Sequence, residues 1–213
     1  MKTDDLVTML ATGVAPVPQH AASRPLGLAL LAGVAVSLVI LLLGYGLRRD
    51  LMQVIDLPMF WVKLAFPLCI AVAAFVVVQR LARPGVQVRR AGWGLVAPLL
   101  MVFALAVAAW LDAPVQDRLA LLMGASWRTC ALSISLMAMP IFIPVLLALK
   151  GLAPTQPVLA GAAAGALAGG LGATIYALYC VEMTAPFLAV WYVIGILMPV
   201  LAGSLLGRRW LHW

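Results

Sequence analysis

Residues Leu26–Leu47 read LGLALLAGVAVSLVILLLGYGL, a run without a single charge. At about 1.5 Å rise per residue, a helix of this length covers the roughly 30 Å hydrocarbon core of a bilayer. The run is apolar all round rather than along one stripe, so a helix here needs apolar surroundings on every side. Its backbone polar groups cannot be left facing lipid, which leaves a helix as the way to cross.

Five further runs are predominantly apolar and of similar length. The spans expected are Leu26–Leu47, Pro58–Leu81, Trp93–Leu111, Thr129–Leu149, Val158–Cys180 and Pro186–Gly207. The fold expected is therefore all-α, a six-helix transmembrane domain over 26–213 preceded by a short segment over 1–25. Composition agrees. Of 213 residues, 65% are hydrophobic and 10% charged, too little charge to cover a soluble domain of this size. No cleavable signal peptide is expected, because about 25 polar and proline-containing residues precede the first span.

The net charge of +7 is distributed by side rather than gathered into a nucleic-acid patch, so no direct nucleic-acid contact is expected. Lys2, Arg24, Arg80, Arg83, Arg89, Arg90, Lys150, Arg208 and Arg209 fall on the side of the termini. Arg48, Arg49, Lys63, Arg118 and Arg128 fall on the other, with Asp50, Asp56, Asp112, Asp117 and Glu182. An excess of basic residues marks the cytoplasmic side, which places both termini in the cytoplasm and the chain in a bacterial inner membrane.

Gly161, Gly165 and Gly169 recur at a spacing of four and make one small-residue face on the fifth span. Such faces let helix backbones approach closely. The first expectation is packing against another span of this chain, the second a homodimer seam. Pro67, Pro98, Pro140, Pro144 and Pro199 lie within spans, where neighbours must satisfy the carbonyls they free. Lys63 sits about a turn and a half inside the second span. Its stem is expected to snorkel outward, with Asp56 or Glu182 as a partner.

Little in the spans suggests catalysis. Both histidines, His20 and His212, lie outside them, which excludes a bis-histidine haem within the bundle. There is no Cys-x-x-Cys pair, phosphate loop or pair of intramembrane carboxylates, so no cofactor is expected and a proton-coupled transporter is disfavoured. The three cysteines say more. Cys69 falls mid-span and is expected to be a buried, inert thiol. Cys130 opens the fourth span and Cys180 closes the fifth, in an antiparallel hairpin turning at Gly151–Pro157. Helical rise puts both at about the same height, roughly 30 Å from that turn, on the side where disulfides are permitted. Arg128 is positioned to favour a Cys130 thiolate. Glu182 opposes one at Cys180, or joins the sulfur in holding a metal. Three readings of the pair stand: a redox-active or oxidant-sensing pair, a permanent disulfide, and two separate thiols or a soft-metal site.

At the N-terminus Thr3 suits a helix cap, Asp4 and Asp5 its first turn, and Leu6, Met9 and Leu10 share one face. Gly13 suits the stop, and Pro16 and Pro18 make an extended tether. This amphipathic helix is expected to dock into a partner's groove, or else to lie on the bilayer surface.

Several blocks stand out: Lys2-Thr3-Asp4-Asp5-Leu6, Phe60-Trp61-Val-Lys63-Leu64, Trp127-Arg128-Thr129-Cys130 and Leu152-Ala-Pro154-Thr155-Gln-Pro157, then Gly172-Ala-Thr174-Ile-Tyr176-Ala-Leu-Tyr-Cys180, Glu182 and Ala189-Val-Trp191-Tyr192. Together they resemble the NrsF-like family of six-span anti-sigma factors. The resemblance implies a protein that holds an extracytoplasmic-function sigma factor inactive at the membrane. Envelope stress from oxidants, reactive chlorine or heavy metals then releases it. It also implies that Cys130 and Cys180 are the signalling cysteines and that the N-terminal segment binds the sigma factor. Two other classes remain as rivals, a quinone-linked thiol-disulfide oxidoreductase and a small transporter.

Overall fold

The computed structural model describes residues 3–12, 23–82 and 92–211. The Gly13 stop, Pro16, Pro18, His20, His212 and the basic residues Lys2, Arg83, Arg89 and Arg90 lie outside them. Every regular element among the described residues is helical. The helices are α1 (Thr3–Ala11), α2 (Ser23–Ile40, prolonged by a π-helical turn Leu41–Tyr45), α3 (Leu51–Val54), α4 (Pro58–Leu81), α5 (Trp93–Asp112), α6 (Arg118–Met123), α7 (Trp127–Lys150), α8 (Pro157–Tyr176), α9 (Ala185–Phe187) and α10 (Val193–Trp210). A second π-helical turn, Leu188–Tyr192, joins α9 to α10.

Six helical stretches are long and apolar enough to cross a membrane. Each overlaps one of the six expected spans, with two corrections. The first stretch ends at Tyr45 rather than Leu47. The fifth helix ends at Tyr176, so Cys180 lies beyond it in a non-helical stretch, 177–184. The short helices α3 and α6 went unforeseen; they are brief turns in the connections between spans.

α8 is the axis of the bundle, and its small residues explain why. Its glycines point at three neighbours. A Cβ on Gly161 would lie 2.0 Å from the Gly203 carbonyl oxygen, and one on Gly165 2.1 Å from that of Pro199, both in α10. A Cβ on Gly170 would meet the Pro67 carbonyl oxygen of α4 at 2.7 Å, and one on Gly172 the Ala138 nitrogen of α7 at 2.8 Å. Helices in lipid gain no hydrophobic drive from meeting, so this close van der Waals approach is what joins them. The expected glycine face is therefore filled from within the chain by α10, and that face has no room for a second copy.

α2 crosses α7 in the same close manner at Gly33, where a Cβ would stand 2.6 Å from the Ile141 Cα. Ser37 Oγ donates to the Met137 carbonyl at 2.8 Å across this crossing. α5 is the most peripheral span and packs on α4 and α9. Cys69 corrects another expectation: it is exposed on the outer surface of α4, not buried.

Candidate functional site

One end of the bundle carries the starts of α4 and α7 and the stretch 177–184 between α8 and α10. That stretch is irregular and half sunk among helices, so its carbonyls need partners other than a helical ladder. Two cations supply them. Lys63 Nζ donates to the Cys180 carbonyl at 2.5 Å and the Glu182 carbonyl at 2.7 Å. Arg48 Nη1 donates to the Cys180 carbonyl at 3.3 Å, and the Arg48 backbone N–H to that of Leu178 at 3.3 Å. Lys63 is thus fully buried, with 0% exposure, and does not snorkel. Its partners are backbone carbonyls rather than the carboxylates of Asp56 or Glu182.

Cys130 and Cys180 are 0% and 2% exposed, and both are free thiols. They are close enough to influence each other's ionisation. The Cys130 thiol first, and with it the Lys63 ammonium, holds Cys180 below the ordinary thiol range against the opposing effect of burial. Tyr192 Oη is buried with no hydrogen-bond partner, and Lys63 Nζ stands 5.8 Å from the Tyr192 ring centre.

The cation beside the thiols is therefore Lys63, not Arg128. Arg128 is exposed and lies over the Trp127 ring at 5.2 Å. Glu182 is also occupied elsewhere. Its Oε1 accepts from the backbone N–H groups of Ala125 at 2.7 Å and Ser126 at 3.3 Å, fixing the corner that leads into α7. Gly124 in that corner has φ +56°, and a Cβ on it would collide with the Glu182 carboxylate at 2.7 Å. Among the described residues no group of three or more His, Cys, Asp or Glu side chains is arranged to hold a metal.

Tyrosines surround the pair, and sequence reasoning gave them no role. Tyr45 ends the first π-helical turn and Tyr192 the second, so both irregular turns aim a phenol at this end. Such turns recur at functional sites because they re-aim side chains. Tyr45 Oη bonds Ser133 Oγ at 3.1 Å, and its ring meets Tyr176 edge-on at 6.2 Å. A cavity of about 470 Å³ opens here, with Tyr45, Arg48, Ser126, Tyr176, Tyr179 and Cys180 in its wall. Arg48 forms a two-point ion pair with Asp50, at 2.8 and 2.7 Å. That pairing raises the guanidinium pKa and lowers that of the carboxyl. The one signal that could have found Lys63 is its register: Ala71 and Ala74, the small residues facing α8, lie eight and eleven positions on, on the same helix face.

The N-terminal candidates stand apart. Thr3, Asp4, Asp5, Leu6, Met9 and Leu10 all lie on α1, whose side chains are exposed throughout. Thr3 is the first helical residue rather than a cap outside the helix.

The fold and this site define a helical bundle with six stretches long and apolar enough to cross a membrane, a cysteine pair buried at one end and an exposed amphipathic helix at its N-terminus. A family model described as NrsF, negative regulator of sigma F, matches residues 10–213. The chain is 41% identical to a probable anti-sigma-F factor NrsF of Azospira oryzae and 42% identical to the anti-sigma-F factor NrsF of Caulobacter vibrioides, with 100% of each chain covered in both cases. No solved structure matches it. The chain belongs to the NrsF family.

Proposed function

We propose that this protein is an anti-sigma factor of the bacterial inner membrane. With both termini in the cytoplasm, it holds an extracytoplasmic-function sigma factor through α1. The observation that carries the reading is the match to anti-sigma-F factors over the full length of the chain. The unpacked apolar side chains of α1 support it: Leu6, Met9 and Leu10 are 39, 64 and 68% exposed, a row suited to a groove on a partner.

Release follows oxidation, or binding of a soft metal, at Cys130 and Cys180 on the periplasmic side. The two thiols belong to different structural units, Cys130 to α7 and Cys180 to the stretch between α8 and α10. A bond between them acts only through its different free energy in two arrangements of those units. The quinone-linked enzyme reading calls for a second cysteine pair, and the remaining thiol, Cys69, faces outward on α4.

The test is capture from native-host membranes in mild detergent, reduced and after oxidation. A sigma factor is expected on the reduced protein and lost on oxidation, with retention in Cys130→Ser and Cys180→Ser. Leu6→Glu with Leu10→Glu should abolish capture while disulfide formation continues. Absence of a sigma factor under every condition would overturn the proposal.

A further inference from the structure

The two cysteines are not equivalent. Cys180 forms part of the wall of the 470 Å³ cavity, and Cys130 does not. Cys130 is fixed in the first turn of α7, with its backbone N–H bonded to the Ser126 carbonyl. Cys180 sits in the non-helical stretch 177–184, with its backbone N–H bonded to the Tyr176 carbonyl. The Cys130 thiol and the Tyr192 hydroxyl, a buried group with no hydrogen-bond partner, neighbour the Cys180 sulfur. The Lys63 ammonium lies behind it, held by the Cys180 and Glu182 carbonyls. Donors and a cation stabilise a thiolate, the form of sulfur that reacts.

We infer that Cys180 is the thiol struck by a small oxidant entering through this cavity, and that Cys130 is the thiol that resolves the product. The inference rests on the redox reading of the pair and adds an order of events to it. With a peroxide, the Cys180 thiolate attacks one oxygen and the O–O bond breaks. Hydroxide leaves, and Cys180 becomes a sulfenic acid. The Cys130 sulfur then attacks the Cys180 sulfur, the S–O bond breaks, and the hydroxyl departs as water with the Cys130 proton. Two electrons pass from the thiols to the peroxide, and a disulfide remains. Tyr192 and Lys63 act through Cys180 and are positioning residues.

The experiment uses full-length protein in nanodiscs carrying Cys69→Ser, a change on the outer face of α4. Hydrogen peroxide is added with dimedone, which traps sulfenic acids, and labelled peptides are identified by mass. In Cys130→Ser the adduct is expected on Cys180, forming about tenfold faster than the Cys130 adduct in Cys180→Ser, as the reactivity of a thiolate over a thiol requires. Brief exposure of protein with both cysteines intact provides a second measurement free of any folding defect in the variants, and the first label is expected on Cys180. A first label on Cys130, or equal rates in the two variants, overturns the inference and leaves the redox reading intact. Failure of the unsubstituted pair to form a disulfide overturns the redox reading itself.

Discussion

Replacing Gly165 by alanine puts a methyl group where there is no space. Its Cβ would stand 2.1 Å from the Pro199 carbonyl oxygen, 2.5 Å from the Pro199 carbonyl carbon and 2.6 Å from the Val200 Cα. All three are backbone atoms of α10, so no side-chain rotation relieves the clash. Real Cβ atoms essentially never come within 3.0 Å of another heavy atom, so the two helices must part locally by close to 1 Å. Overpacking of this kind costs about 1–3 kcal/mol. The parting also loosens the neighbouring contacts of Gly161 with Gly203 and of Gly207 with Pro157. A gap of about 0.5–1 Å forfeits a quarter to a half of each pair's dispersion energy. Because such packing is the main force joining helices in lipid, the loss should fall near the upper end, about 3 kcal/mol. Gly169→Ala is milder, since its Cβ would meet the Ile196 carbonyl oxygen at 3.0 Å. Gly27→Ala meets nothing within 4 Å and should not destabilise, given that alanine is favoured over glycine in helices by about 1 kcal/mol. Unfolding in bicelles, followed by tryptophan fluorescence, should rank the variants Gly27→Ala, Gly169→Ala, Gly165→Ala in order of increasing loss. Equal stability of Gly165→Ala and Gly27→Ala would refute the backbone-to-backbone seam.

Three further outcomes are expected. Lys63→Met strands the Glu182 carbonyl, leaves the Cys180 carbonyl with Arg48 alone and should destabilise by about 1–3 kcal/mol; it should also move the midpoint of Cys180 alkylation against pH upward, which a maleimide rate profile would register. Glu182→Ala leaves the Ala125 and Ser126 N–H groups unpaired, and hydrogen exchange at those two amides should accelerate while α8 stays protected. Asp50 is held below the usual carboxyl range by its hydrogen bond from Arg48, so its contribution is present above the unfolded-state pKa of about 4 and lost as pH falls through the lower folded value. The melting difference between the unsubstituted protein and Asp50→Asn should therefore be seen at neutral pH and vanish in acid; a constant difference would show that the ion pair is not its source.

Hydropathy made the six spans legible because lipid admits so few alternatives: an uncharged run of about 20 residues must be a helix. The α8 glycine face was legible for the same reason, since small residues are what lipid-borne helices use to meet. Hydropathy carries no information about rotation about the helix axis, and the misreadings follow from that. Cys69 and Lys63 lie six residues apart on α4, and the thiol faces outward while the ammonium faces inward, the reverse of what polarity alone suggests. Snorkelling presumes a lysine on the lipid side, whereas here the carbonyls of 177–184 compete for it more effectively than water at the interface. The end of α8 at Tyr176 was hidden because the residues after it remain apolar. The tyrosines went unassigned because two π-helical turns aim two of them, and neither turn leaves a mark on a window of sequence.

The arrangement bears on how an event at the thiols can reach α1. Cys130 belongs to α7, and α7 meets α2 through backbone at Gly33 and through the Ser37 hydrogen bond to Met137. α2 begins at Ser23, on the N-terminal side of the bundle, so it is the helix through which α1 is tied to the core. Cys180 lies between α8 and α10, and those helices share a seam that runs from Gly169 at Ile196 to Gly207 at Pro157, near the far end. Each thiol is thus attached to helices locked by backbone contact: α7 with α2, α8 with α10, and α7 with α8 where Gly172 meets Ala138. Helices joined in this way transmit a displacement, since no flexible side chain lies between them to absorb it. A disulfide between Cys130 and Cys180 changes how the start of α7 sits against the stretch that follows α8. In the proposed switch, its effect on the sigma site equals the difference in strain that the bond meets in the two arrangements. Moving a population from 1:99 to 99:1 takes about 5.5 kcal/mol of such difference. A loose bundle would dissipate that energy in local rearrangement. The glycine seams are what allow it to appear at the opposite face, and substitutions in them should alter release as well as stability.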